Sequence, residues 1–136
     1  MDDNPDRVIA LVDDDKIFQL IATRSIKATH FTGKILQFNN GSEAIHYLEQ
    51  HASNNAELPD VLFLDINMPL VDGWMFMEDF VELKSKIHKP IRIYMVSSSI
   101  DPKDIERAKG ISDIRDYITK PVSQQKFADL ISEAVN

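Results

Sequence analysis

The chain has 136 residues and a formal net charge of −7, with its Lys and Arg residues scattered rather than in a stripe, which argues against direct nucleic-acid binding. Its 43% hydrophobic content is enough for one packed core, but no apolar run reaches the roughly 20 residues of a membrane span. Zero cysteines exclude disulfides and thiolate metal sites and suit a cytoplasmic protein; the acidic start, Met1 to Asp6, is no secretory signal.

Residues 1–6 read as a short acidic N-terminal tail and 7–136 as a single domain. The first strand is expected over Arg7–Val12. A helix follows over Lys16–Ala28, with Ile17, Leu20, Ile21 and Ala28 near one face. Gly33 breaks the chain before a second strand, Lys34–Phe38. Asn40 with Glu43 three residues on reads as a capping box, opening a helix that carries Ala44, Ile45 and Leu48. His51–Pro59 is a polar loop. Asp60–Leu64 is the third strand, and Asp72-Gly73 opens a helix with the stripe Phe76, Phe80, Leu83 and Ile87. Ile91–Val96 is the fourth strand. Asp101, Pro102 and Gly110 mark the cap, first turn and stop of the next helix. A short fifth strand, Asp116–Ile118, precedes a helix from Ser123 that buries Phe127, Leu130, Ile131 and Ala134.

Strict strand–helix alternation implies an α/β fold: a doubly wound, five-stranded parallel sheet of flavodoxin-like order 2-1-3-4-5, with helices on both faces. Ligands bind beyond the carboxyl ends of such strands. Three apolar runs end there in polar groups: Val8–Val12 in Asp13 and Asp14, Val61–Leu64 in Asp65, and Ile91–Val96 in Ser97. Lys120-Pro121 follows the fifth strand. Crowded carboxylates repel unless a cation sits among them, and oxygen donors without Cys or His select a hard ion such as Mg²⁺. Asp65 is a candidate nucleophile, since carboxylates form aspartyl phosphates. Ser97 and Lys120 are candidate hydroxyl and cationic partners for a phosphoryl group. Each signal alone has a plainer reading as a helix cap or solvated loop; together they lie along one sheet edge.

These residues match a family. Val12-Asp13-Asp14, then Asp65-Ile66-Asn67-Met68-Pro69-Leu70-Val71-Asp72-Gly73, Val96-Ser97-Ser98 and Tyr117-Ile118-Thr119-Lys120-Pro121 resemble a CheY-like response-regulator receiver domain, here of the stand-alone type. The resemblance implies a two-component signalling switch rather than a conventional enzyme. Asp65 would accept phosphate from a sensor histidine kinase or a histidine phosphotransfer protein. Mg²⁺ would be held by Asp14, Asp65 and the backbone carbonyl of Asn67, with Asp13 acting through water. Lys120 and Ser97 would contact the phosphoryl group, and Tyr117 would be the aromatic switch. A cis Lys120–Pro121 bond, and output through the face of the fourth helix, fifth strand and fifth helix to an unknown downstream protein, are also implied. No output domain is expected, and the protein would be a monomer or a phosphorylation-linked dimer. Ser97 stands where threonine is commoner, and Ser99 and Asn67 flank the site.

A second reading takes Asp13 as nucleophile and Asp15 as acid of a haloacid-dehalogenase-like phosphatase, but it leaves Asp65 to Gly73 without a role. A third is a phosphorylation-independent scaffold on the same fold. Asp15 reads as a helix cap, Trp74 as a partly buried first-turn aromatic, most of the methionines as packing residues, and His30, His46, His51 and His88 as surface residues.

Overall fold

A computed structural model describes residues 6–135, with side chains through Glu133. Residues 1–5 of the expected tail lie outside the described residues, as does the side chain of Ala134 in the last apolar stripe. The elements alternate as β1 (Val8–Val12), α1 (Lys16–Ala28), β2 (Lys34–Phe38), α2 (Gly41–Gln50), β3 (Val61–Leu64), α3 (Gly73–Leu83), β4 (Arg92–Ser97), α4 (Pro102–Lys109), β5 (Ile114–Thr119) and α5 (Gln124–Val135). All strand pairs are parallel, in the order β2-β1-β3-β4-β5. The fold is the flavodoxin-like sheet that the sequence implied.

The sheet is covered on both faces, so the central strands are apolar throughout: every residue of β1 and β3 is buried. Alternation sorts them into two cores. Leu62, Leu64, Ile93 and Met95 meet Phe76, Phe80 and Leu48 from α3 and α2. Phe63, Tyr94 and Val96 meet Ala22, Ile26, Phe127 and Leu130 from α1 and α5. Phe63 stacks on Tyr94 at 5.7 Å and meets Phe127 edge-on at 5.2 Å. Burying each such side chain contributes about 1.5–3 kcal/mol.

The caps act where the sequence placed them. Asn40 accepts from the Glu43 amide while Glu43 accepts from the Asn39 amide; Asp72 accepts from Met75 and Asp101 from Lys103. Ser123 Oγ accepts from the Lys126 amide and starts α5.

Three expectations need correction. In α1 the stripe Ile17, Leu20 and Ile21 faces outward, at 70%, 51% and 54% exposure, and Ala28 is exposed too; the inner stripe is Gln19, Ala22 and Ile26. Both stripes have helical spacing, so periodicity alone does not choose between them. α3 stops at Leu83, and a 3₁₀ turn over Lys84–Lys86 carries Ile87 back to the core. β5 is longer than the expected Asp116–Ile118, taking in Ile114, Arg115 and Thr119, of which Arg115 and Thr119 are exposed residues of a sheet-edge strand rather than loop residues.

At the amino end of the sheet, Asp60 leads into β3. It accepts from the Val8 amide at 2.8 Å, and Lys89 Nζ lies 3.2 Å and Arg7 Nε 4.0 Å from its oxygens.

Candidate functional site

At the carboxyl end, β1 and β3 run side by side with Val12 opposite Leu64, so the residues just past them meet. One carboxylate oxygen from each of Asp13, Asp14 and Asp65 falls within 4.8 Å of the others, and among the described residues this is the group of acids or histidines that can hold a metal ion. Asp13 and Asp65 are buried, whereas Asp14 is exposed. The donor set is all oxygen and carries three negative charges, which fits a hard divalent cation. None of the four histidines joins it.

Asp65 is fixed by its backbone. Its amide donates to Val12 O at 2.9 Å, and its Oδ1 accepts from the Ile66 amide at 2.9 Å. Burial first, and then the negative charge of Asp13, push its carboxyl up to about 6; the Lys120 ammonium pulls the other way. Asp13 Oδ1 accepts from the Asp15 amide and its Oδ2 from Lys120 Nζ at 2.7 Å. Lys120 Nζ stands 3.7 Å from Asp65 Oδ1 and 4.3 Å above the Phe18 ring. The lysine thus bridges the two buried acids. The Lys120–Pro121 peptide is cis.

Ser97 ends β4, fully buried, and its Oγ accepts from the Ser99 amide at 3.0 Å. The Lys120 amide donates to Ser97 O, tying the β4 and β5 ends together. Tyr117 is half-buried on β5, and its hydroxyl donates to Ser99 O at 2.8 Å. Ser99 therefore joins the Ser97 hydroxyl to the Tyr117 ring. Ser99 Oγ also donates to Asp104 of α4. Asn67 is exposed in the β3–α3 loop, two residues beyond Asp65.

Asp15 Oδ1 accepts from the amides of Ile17 and Phe18, so it caps α1 rather than facing the acid pair. That occupation leaves the phosphatase reading without its acid. Trp74 is buried under the Arg107 guanidinium, 4.4 Å from its ring.

Two contributions were not read from the sequence. A Cβ at Gly73 would come 2.6 Å from Asp65 O, and the Gly73 amide donates to Ile66 O. The start of α3 therefore rests directly on the Asp65 backbone. Phe18 supplies the ring beneath Lys120, and its signal was only an aromatic three positions past a strand-end loop.

A family model described as the response regulator receiver domain matches residues 9–132. A two-component response regulator from Cytophaga hutchinsonii is 28% identical and superposes with a TM-score of 0.81, over 96% of this chain and 97% of that one. A response regulator receiver protein from Dyadobacter fermentans is 27% identical with a TM-score of 0.79, over 95% and 98%. The probable methanogenesis regulatory protein FilR2 of Methanothrix harundinacea is 26% identical over 126 residues, 93% of this chain and 79% of that protein.

Proposed function

The chain belongs to the response-regulator receiver family of two-component signalling, and from that premise we propose that Asp65 is its phosphoacceptor. The observation that carries this reading is the pair of buried carboxylates, Asp13 and Asp65, bridged by Lys120 beside the exposed Asp14. At neutral pH, Asp65 is above its titration point and is a carboxylate. One of its oxygens attacks phosphorus; the O–P bond forms as the P–N bond of a phosphohistidine breaks, and its electron pair stays on the imidazole. Asp14, Asp65 and the Asn67 carbonyl would hold Mg²⁺, with Asp13 acting through water. The ion supplies charge neutralisation for the phosphoryl oxygens. Lys120 exchanges its contact with Asp13 for one with the new phosphoryl group. Ser97 Oγ turns from the Ser99 amide to a phosphoryl oxygen.

That turn loosens the loop to which the Tyr117 hydroxyl is bonded, so the ring is free to move inward and remodel the α4-β5-α5 face. A downstream protein, or a second copy in a phosphorylation-linked dimer, reads that face. The donor is a histidine kinase or a histidine phosphotransfer protein. The outward apolar stripe of α1, Ile17, Leu20 and Ile21, flanks Phe18 at the site's rim and offers that donor a docking surface.

Incubation with acetyl phosphate and Mg²⁺ tests the assignment by intact mass. One phosphoryl group is expected on the wild type and none on Asp65→Asn. Undiminished stoichiometric labelling of the variant would overturn it.

A further inference from the structure

Gln19 is a polar residue on the inner stripe of α1, 5% exposed, where an apolar side chain would be expected. Its Nε2 lies 3.0 Å from Asp13 O, 3.0 Å from Phe38 O and 3.3 Å from Leu11 O. Three carbonyls converge on one amide nitrogen, which fixes its orientation: a flipped amide would set oxygen against all three. Among the described residues, its Oε1 is the buried side-chain polar atom without a hydrogen-bond partner. A buried unsatisfied acceptor costs about 1–3 kcal/mol. The side chain is therefore held by its donor end, which meets three carbonyls while its oxygen meets none.

What the donor end holds is the turn that presents the acids. Asp13 O belongs to the peptide joining Asp13 to Asp14. The Asp13 amide donates to Phe38 O, the same carbonyl that Gln19 contacts. Gln19 thus clamps the ends of β1 and β2 together and fixes the plane of the Asp13–Asp14 peptide. The Asp13 side chain has its own anchors in the Asp15 amide and Lys120. Asp14 is exposed, and the orientation of its preceding peptide sets the direction of its carboxylate.

We propose that Gln19 is a positioning residue for the metal-binding acid pair: by holding the Asp13 carbonyl from inside α1, it aims Asp14 at the cation shared with Asp65. The inference deepens the reading of the acidic cluster as a Mg²⁺ site and rests on it. Losing such an indirect support typically weakens metal affinity about 10–100-fold.

The test is Mg²⁺ titration of the full chain, followed by Trp74 fluorescence and by calorimetry, on wild type, Gln19→Met and Gln19→Asn. The Met variant keeps length and loses the donors; the Asn variant keeps the amide but withdraws it by one methylene. A Kd raised about tenfold is expected in both, together with faster exchange of the Asp14 and Asp15 amides in metal-free protein. If one variant does not fold, the other carries the measurement. A lowered melting temperature with unchanged Kd and unchanged exchange would make Gln19 a packing residue and overturn the proposal. A wild type that binds no Mg²⁺ would remove the metal site itself, and the proposal with it; that result differs from a variant matching a wild type that binds.

Discussion

β3 is flanked by two aspartates, Asp60 before it and Asp65 after it, and their surroundings differ in kind. Asp60 has Lys89, Arg7 and the Val8 amide around it, so its charge is balanced by two cations and a donor. Asp60 is partly exposed, whereas Asp65 is buried, and the nearest charged neighbours of Asp65 include two more carboxylates and a single lysine that sits closer to Asp13. One end of the strand is electrostatically satisfied; the other has an excess of negative charge that a divalent cation or a changed protonation state relieves. A balanced acid is a structural part. An unbalanced one is a place where a cationic ligand would relieve the charge.

The contrast has graded consequences for stability. The largest falls at the satisfied end. Asp60→Ala removes the acceptor of the Val8 amide and the carboxylate 3.2 Å from Lys89 Nζ, and urea unfolding should show a loss of about 2–3 kcal/mol. At the other end the sign reverses. In metal-free protein at pH 7.5, Asp65→Asn removes a buried charge that burial and Asp13 both disfavour, and a gain of about 1 kcal/mol is expected after allowing for solvent screening. A loss there would refute the picture of an overcharged site. The pH slope reads the same buried charge a second way. The folded-state pKa of Asp65, about 6, lies above its ordinary 3.8, so the folded protein binds this proton more tightly than the unfolded chain does. The group's contribution to stability is therefore most favourable below about pH 4, declines as pH rises to about 6, and is flat beyond. Subtracting the Asp65→Asn curve from the wild-type curve, both in EDTA, isolates it. A difference that rises over that window would mean that Lys120 outweighs burial and Asp13.

Much of this was legible in the chain. The strands read as unbroken apolar runs because both faces of the sheet are covered, and Asn40, Asp72 and Asp101 announced their helices by side-chain chemistry that acts over two or three residues. The acids past β1 and β3 converge because neighbouring parallel strands end together. The illegible parts depend on long-range packing. α1 offered two stripes of equal period, and the less hydrophobic one went inside because Gln19 meets three strand-end carbonyls that no local pattern announces. The Lys120–Asp13 contact joins residues 107 apart. β5 looked short because an edge strand tolerates the exposed Arg115 and Thr119 near its ends.

The close approach of Gly73 to Asp65 has a consequence for reading related genes. A copy of this chain that retained all its acids, its lysine and its hydroxyl, but gained a single methyl at position 73, would drive a wedge under the Asp65 backbone and, on the proposed reading, fall silent. Deciding which duplicates still carry signals therefore means checking a spacer without any functional group of its own.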